Sequence, residues 1–101
     1  LARSRNVQIE SEGVVERLLS DDHDGSRHQR FILRGPSGHT VLVAHNIDLA
    51  PRVKGLEVGA RVGFNGEYEW TERGGVIHWT HHDPRGEHHG GWLEYRGRRY
   101  E

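Results

Sequence analysis

Histidine is concentrated in one stretch of this chain: five of its nine histidines lie within residues 75–91, together with Asp83 and Glu87. Imidazole binds metal ions and exchanges protons near neutral pH. Carboxylates placed among histidines add further ligands or a second acid/base group. The stretch therefore indicates a divalent metal site, a proton-transfer site, or both. It does not identify a reaction by itself.

The elements that position these histidines are predicted to be strands almost throughout, because apolar and polar residues alternate between turn sequences. The predicted strands are residues 13–19, with a start as early as Val7, and residues 28–34, 40–45, 59–70 and 76–80. One short helix is predicted at residues 48–56, where Asp48 can cap the first turn and Pro51 lacks only an N–H that the first turn does not need. Residues 83–101 are predicted to be an irregular tail packed on the domain.

The order of these elements predicts the fold. Three meandering strands, a short helix and a final hairpin follow one another as in the five-stranded OB barrel. The sequence LEVGARV at residues 56–62 is typical of the joint between the helix and the fourth strand of many OB domains. We therefore expect one all-β, OB-like domain over residues 1–101, with a closed or nearly closed barrel.

Strand pairing brings some of the histidines together. If residues 35–38 form a four-residue loop, Arg34 pairs with His39 and His28 lies directly opposite His45 on one face. In an OB barrel the ends of the first, third and fifth strands and the start of the second lie at the same end. The side chains expected at this rim are His23, His28, His45, Asn46, Asp48, His81, His82 and Asp83.

The predicted metal ligands within the rim are His28, His45, His81, His82 and Asp83. The chain has no cysteine, so thiolate ligands are excluded, and imidazole suits zinc, copper or nickel. A second interpretation is a hydrogen-bonded network in which His28 and His45 hold the loop at residues 81–83 in place. The sequence leaves both interpretations open. Arg30, Asn46 and Trp92 are the further side chains predicted to contact a ligand.

The second hairpin is predicted to pair Trp70 with Ile77 across a turn at residues 72–75, because this register keeps the aromatic side chains inward. Gly66 lies within the fourth predicted strand. A glycine inside a strand often marks a bend or bulge. We expect one at Gly66.

Composition narrows the classes of partner. Fourteen Lys+Arg against fifteen Asp+Glu give a formal net charge of -1, which is not the charge of a strongly basic polyanion-binding domain. Nucleic acid or a glycan is therefore not favoured as a partner, although Arg30 and Arg34 form a local basic stripe. No apolar run approaches the roughly 18 residues needed to span a bilayer. We expect no membrane span.

Four segments of the chain resemble an uncharacterised bacterial family of small exported proteins. They are RHQRF at residues 27–31, AHNIDLAPR at 44–52, GEYEW at 66–70 and GVIHWTHHDP at 75–84. The resemblance covers most of the chain and implies a single domain that is periplasmic or secreted. The start at Leu1, without an initiator Met, agrees with removal of an upstream segment. No catalytic residue is implied by the resemblance.

Three functions from different classes follow from these features. The first is a binding module that holds a divalent transition metal at the rim. The second is a metal-dependent hydrolase acting on phosphodiesters, with a metal-bound water as nucleophile. The third is a nucleic-acid or glycan binder that uses the face of the second and third strands, as OB domains often do. Whether the protein is an enzyme stays open.

Overall fold

A computed structural model describes residues 7–101, which form seven β-strands. The strands are β1 Val7–Leu18, β2 His28–Arg34, β3 Thr40–Asn46, β4 Arg61–Glu69, β5 Val76–His78, β6 Trp92–Tyr95 and β7 Arg98–Tyr100. Their order in the sheet is β1-β2-β3-β5-β4-β6-β7, and β1 also pairs with β4. The described residues form no helix, and so contain none long and apolar enough to cross a membrane.

The second pairing of β1 closes the first five strands into a barrel. β1 runs antiparallel to β2 on one side and to β4 on the other. β3 and β5 complete the ring as a parallel pair. A three-stranded meander followed by a hairpin that closes onto the first strand is the connectivity of the OB barrel. The predicted all-β, five-stranded barrel is confirmed.

β1 can pair with two neighbouring strands because it is long and bent. The part from Val7 to Val14 pairs with β4, and the part from Val14 to Leu18 pairs with β2. Its register against β2 shifts between Val15 and Arg17, which leaves Glu16 as the extra residue of a β-bulge. Bulges increase the local twist of a strand. The bulge therefore turns β1 from one side of the barrel to the other.

The C-terminal residues are more regular than the sequence predicts. β6 pairs with β4, and β7 pairs with β6, so a hairpin extends the sheet beyond the barrel. Its two-residue turn is Arg96-Gly97, and both residues have positive φ, 53° and 79°. Such turns match the twist of the flanking strands. The prediction of an irregular tail is wrong here, because three side chains of the hairpin enter the core: Leu93, Tyr95 and Tyr100.

The predicted helix at residues 48–56 is also wrong, since this segment is a series of turns. The Asp48 carboxylate caps no helix because it accepts hydrogen bonds from the backbone N–H and the Nε of Arg27, at 2.9 and 2.8 Å. The side-chain amide of Gln29 bonds both the N–H and the carbonyl of Val53, at 2.9 and 3.0 Å. These long-range bonds occupy groups that helical bonds would have used.

The hairpin of β2 and β3 differs from the predicted register by one residue. Arg34 pairs with Thr40 instead of His39, and the N–H of Gly35 donates to the carbonyl of His39 at 2.8 Å, so three residues, 36–38, form the loop where four were predicted. His28 consequently pairs with Asn46, while His45 pairs with Gln29. Because side chains alternate along a strand, His28 and His45 lie on opposite faces. The predicted cross-strand contact between the two histidines is wrong.

The register of the second hairpin differs from the predicted one by two residues, so each side chain keeps its predicted face of the sheet. Ile77 pairs with Tyr68, where Trp70 was predicted. Gly66 marks no bulge, because the register of β4 against β1 is continuous there. A Cβ on Gly66 would lie 2.7 Å from the carbonyl oxygen of His78 and 2.8 Å from a methyl carbon of Ile77. The close approach of β5 therefore accounts for this glycine.

The core fills the barrel and extends under the C-terminal hairpin. Its buried members come from β1 to β6, from β7 and from the turn segment after β3. They are Val15, Phe31, Leu33, Val43, Val53, Val62, Phe64, Ile77, Leu93, Tyr95 and Tyr100. The inward face of β2 thus carries Gln29, Phe31 and Leu33, and its outward face is left for the solvent.

Candidate functional site

His45 lies on the inward face of β3 and is fully buried. Its Nε2–H donates to the carbonyl oxygen of Pro51 at 2.9 Å, and its Nδ1 accepts from the hydroxyl of Thr80 at 2.7 Å. Burial lowers the pKa of His45 to about 4, against the raising effect of the Pro51 bond, and His81, His28 and Arg52 lower it further. The ring is therefore neutral at pH 7, with both nitrogens engaged.

His28 lies at the start of β2 on the outward face. Its Nδ1–H donates to the carbonyl oxygen of Ser26 at 2.9 Å, which fixes the ring against its own loop. Asn46, the residue paired with it, accepts at Oδ1 from the N–H of Asp48 at 2.9 Å. The predicted metal ligand His28 and the predicted ligand-contact residue Asn46 thus both have local structural partners.

The loop at residues 81–83 is organised around a buried carboxylate. Asp83 accepts hydrogen bonds from the backbone N–H groups of Arg85, Glu87 and His88, at 3.1, 2.9 and 2.7 Å. These bonds, that of Arg85 first, lower the pKa of Asp83 despite the opposing effect of desolvation. His81 is also buried, and its Nδ1–H donates to the carbonyl oxygen of the exposed His82 at 2.9 Å. The Asp83 carboxylate therefore fixes the backbone of the residues that follow it in the loop.

Metal binding at the rim gains no geometric support from this arrangement. Within residues 7–101, no group of three or more His, Asp or Glu side chains is placed so that it could hold a metal ion. The imidazoles of His28 and His45 point to opposite faces, and the Asp83 carboxylate is occupied by backbone donors. Zinc, copper or nickel binding by His28, His45, His81, His82 and Asp83 stays a prediction.

A second titratable cluster lies where β4 meets the loop after β5, and the sequence did not predict it. The Nδ1–H of His88 donates to the carbonyl oxygen of His89 at 2.7 Å, and its Nε2–H donates to Oε1 of Glu67 at 2.5 Å. Burial lowers the pKa of His88, but these two bonds and the charge of Glu67 outweigh it, so the pKa is raised. Both partners are acceptors, and only the imidazolium can donate to both.

Trp79 connects this cluster to the rim. Its ring stacks on that of His88, with centroids 3.9 Å apart and planes 10° apart, and lies 4.8 Å from that of His81. The backbone of Trp79 has a φ of 56°, a left-handed conformation that is rare for a bulky residue. Ring stacking contributes to holding the residue in this conformation. The chain can therefore turn sharply out of β5.

A groove lies on the outward face of β2 and β3, here called the β2–β3 groove. It has a volume of about 520 Å³, and its floor carries Arg30 and the paired Ile32 and Leu42. One wall is the turn after β4, with Arg73 at its tip. The full lining is Leu19, Arg30, Ile32, Thr40, Val41, Leu42, Thr71, Glu72, Arg73, Gly75 and Val76.

A second groove of about 410 Å³ shares Arg30 and Leu19 with the first and adds Arg52 and Lys54. Arg52 pairs with Asp21, whereas Arg30 donates from Nε to the carbonyl oxygen of Ser20 at 3.0 Å. No carboxylate in the described part of the chain lies within ion-pair distance of the Arg30, Arg73 or Lys54 side chains. The two grooves together form a basic surface centred on Arg30.

The structure separates the ligand-contact predictions. Arg30 lies in the β2–β3 groove, where the turn after β4 supplies Arg73, and its contact with a ligand stays a prediction. Arg34 belongs to an ion pair with Glu16 instead. Trp92, at the start of β6, lies under the guanidinium of Arg99, whose Cζ is 3.7 Å from the ring centroid. Asn46 is half-buried and holds a turn.

These features define a small closed OB barrel with a basic groove across its second and third strands. The chain belongs to the family described as Protein of unknown function (DUF3465), whose model matches residues 2–101. No curated protein and no solved structure matches the chain. The family agrees with the resemblance to uncharacterised proteins seen in the sequence. It assigns no activity, so function must be argued from the site.

Proposed function

We propose that this protein is a binding domain for a phosphate-bearing strand, single-stranded nucleic acid, which lies in the β2–β3 groove. The observation that carries the proposal is the position of Arg30, Arg73 and Lys54 along two contiguous grooves on the outward face of the barrel. The face of strands 2 and 3 is where OB barrels present such ligands. A groove between two loops can accept an extended strand.

Charge supports an anionic ligand more than a neutral one. Arg30, Arg73 and Lys54 have no carboxylate partner among the described residues, and Glu72 is the one carboxylate in the lining of the first groove. Guanidinium groups bind phosphate through forked hydrogen bonds. The overall charge of -1 keeps diffuse attraction low. Binding must therefore come from local contacts in the groove.

The lining also indicates how selective the groove is. It contains no aromatic ring. Stacking on aromatic side chains is the usual source of base contacts in OB domains. Ile32 and Leu42 offer apolar surface but no hydrogen bonds to base edges. We therefore expect contacts mainly to the backbone phosphates, with weak sequence preference.

Fluorescence anisotropy of a labelled oligothymidine of about 12 nucleotides tests the proposal, since single OB domains cover about 4–16 nucleotides. With three phosphate contacts, the logarithm of the association constant should fall with the logarithm of salt concentration at a slope of about -2. Replacing Arg30 and Arg73 together with Ala should reduce this slope to about -0.7. Arg73→Ala alone should give a slope of about -1.4. Arg98→Ala likewise removes one charge, from β7 and outside both grooves, and is the matched control for this single variant.

Two outcomes would contradict the proposal. If Arg98→Ala weakens binding as much as the groove variants, the attraction is diffuse and the groove has no special role. If the protein binds a neutral oligosaccharide with no dependence on salt, the partner is a glycan. Incubation of the oligonucleotide with zinc and protein also tests hydrolysis, since cleavage would add an activity to binding.

A location outside the cytoplasm also forms part of this proposal, and the resemblance described above is its support. A bacterial origin rests on the same resemblance. Fractionation of the source cells, with detection of the protein by antibody, tests the location. Recovery with cytoplasmic markers would contradict it.

A further inference from the structure

We propose that the open end of the barrel binds a small, uncharged aromatic molecule. A cavity of about 510 Å³, here called the mouth cavity, opens between the start of β1, the loop after β2 and the turn after β4. Its volume lies within the range of small-molecule sites, which occur in the mouths of β-barrels. The proposal is independent of the function of the β2–β3 groove.

The walls of the mouth cavity are apolar. Core side chains form the floor, among them Leu33, Phe64 and Ile77. Tyr68 and Trp70 add two further aromatic side chains beside the aliphatic Ile9. Aromatic side chains prefer offset or edge-to-face contacts with another ring, which adds to the gain from removing apolar surface from water. A planar aromatic ligand can use both effects.

The titratable groups at the rim have hydrogen-bond partners of their own. The Glu12 carboxylate accepts from Nη1 of Arg61 at 3.1 Å. The Nε2–H of His39 donates to the carbonyl oxygen of Gly74 at 2.7 Å. A ligand carrying a charge would therefore lose water without gaining a free counter-ion, which is costly. The cavity is suited to a neutral occupant.

The remaining polar groups of the lining favour one small polar substituent. Ser11 and Ser37 are the hydroxyl side chains of the rim. Each can donate and accept a hydrogen bond. A ring system with a single N–H or O–H, of the kind found in indoles and phenols, matches this pattern. Indole is therefore the probe for the test.

Titration of indole into the ¹⁵N-labelled full chain is the test, followed by two-dimensional NMR. We expect saturable shifts of the Trp70 side-chain N–H and of the Ile9 and Phe64 amides, with a Kd in the millimolar range or tighter. Indole-3-acetate, which carries a negative charge, should bind at least tenfold more weakly. The side-chain N–H signals of Trp79 and Trp92 should move little.

Two charged substitutions in β1 give the matched control. Val7→Glu puts a charge on the cavity wall and should weaken indole binding at least fivefold, whereas Val14→Glu lies outside the lining and should not. Both valines are exposed, 45% and 37%, so neither change disturbs the core. Ile9→Glu, a partly buried site, should abolish binding if circular dichroism shows that the variant folds.

The following results would overturn the proposal. Equal indole affinity in the Val7→Glu and Val14→Glu variants would show that the probe binds elsewhere. Shifts that rise without saturation, or that are largest at Trp92, would have the same meaning. Nuclear Overhauser contacts between Trp70 and residues 1–6 that indole does not displace would show that the chain itself occupies the cavity. A dimer that indole fails to dissociate, with Trp70 at its interface, would assign the cavity to a second copy.

Discussion

At the scale of single residues, His45 couples the barrel to pH through its burial. The folded protein binds a proton at His45 only below about pH 4, whereas the unfolded chain binds one near 6.5. The unfolded state therefore holds more protons between these values, and stability must fall as pH falls through them. This difference in the pKa of His45 lowers the free energy of unfolding by roughly 3 kcal/mol at low pH, since one pKa unit is worth about 1.4 kcal/mol.

We predict that a His45→Leu variant loses this acid sensitivity. Its free energy of unfolding should be lower at pH 7, because the Thr80 hydroxyl and the Pro51 carbonyl lose a partner. Between pH 6.5 and 4 it should then change by roughly 3 kcal/mol less than the wild type does. Urea unfolding at several pH values measures both quantities. A variant with the same pH dependence as the wild type would mean that His45 is not the group responsible.

Two carboxylates also make stability depend on pH, but at lower pH than His45 does. The pKa values of Asp48 and Asp83 are lowered from 3.8, by bonds from Arg27 and from the backbone N–H of Arg85 respectively. Their stabilising effect is lost as pH falls through these lowered values, below the range in which His45 acts. The two effects can therefore be separated in one acid titration.

His88 should have the opposite dependence. Its pKa is raised in the folded state, so its stabilising effect is complete below 6.5 and is lost as pH rises through the folded value. We expect His88→Gln to lower stability by up to about 1 kcal/mol at pH 6 and by less at pH 8, because the pair with Glu67 is partly exposed.

NMR titration of the ring protons of His88 measures the pKa directly. A midpoint at or below 6.5 would contradict the assignment. His89→Gln is the matched control, since it keeps the backbone carbonyl to which His88 donates and changes an exposed neighbour. It should leave the pH dependence of stability as in the wild type.

The residue scale also shows where prediction from sequence ends. Burial of Phe31 and Leu33 and exposure of Arg34 are apparent from alternation alone. The partner of His28 depended on a loop length, and an error of one residue in that length reverses every side chain. Arg73 and Lys54 could not be grouped with Arg30 from the sequence, because three separate segments supply them.

At the scale of elements, β4 depends on a glycine. Gly66 lies against β5, where an added Cβ would also approach a methyl carbon of Thr80 to 2.9 Å. We predict that Gly66→Ala destabilises the barrel by roughly 1–3 kcal/mol, as overpacking does. That corresponds to a fall in Tm of several degrees for a domain of this size, about 4–8 °C for each kcal/mol.

Gly63, in the same strand, supplies the control. An added Cβ there meets its nearest atoms at 3.7 Å, which is ordinary contact. Gly63→Ala should therefore change stability by no more than about 0.5 kcal/mol. Thermal unfolding of the two variants side by side measures the difference. Equal losses at both positions would show that the approach of β5 is not responsible.

The elements that the sequence predicted well are those with a clear apolar pattern. β2 and β4 alternate, β3 is apolar on both faces, and all three strands occur within one or two residues of the predicted bounds. The C-terminal hairpin was missed because four of its residues are arginine or glycine. The predicted helix failed for a different reason. Leu49, Val53 and Leu56 recur at helical spacing. Hydrogen bonds of the segment with Arg27 and Gln29 override this pattern.

At the scale of the whole molecule, charge is unevenly distributed. The chain is close to neutral, and yet its β2–β3 groove carries basic side chains that have no carboxylate partner within residues 7–101. Net charge describes long-range attraction, whereas binding at a groove depends on local charges. Composition therefore argued against nucleic acid as a partner in general, whereas the proposed binding rests on the local charges of one groove.

The double pairing of β1 has a consequence for synthesis of the protein on the ribosome. Val7 pairs with Tyr68 and Val14 with Arg61, so the first strand must wait for residues 61–68 to be made before the barrel can close. Contacts between residues so far apart slow folding, because the intervening loop must first be ordered. Until then the hairpin of β2 and β3 exposes the inward side chains Phe31, Leu33 and Val43. The nascent chain is thus most exposed to aggregation or chaperone binding in the interval between emergence of β3 and emergence of β4.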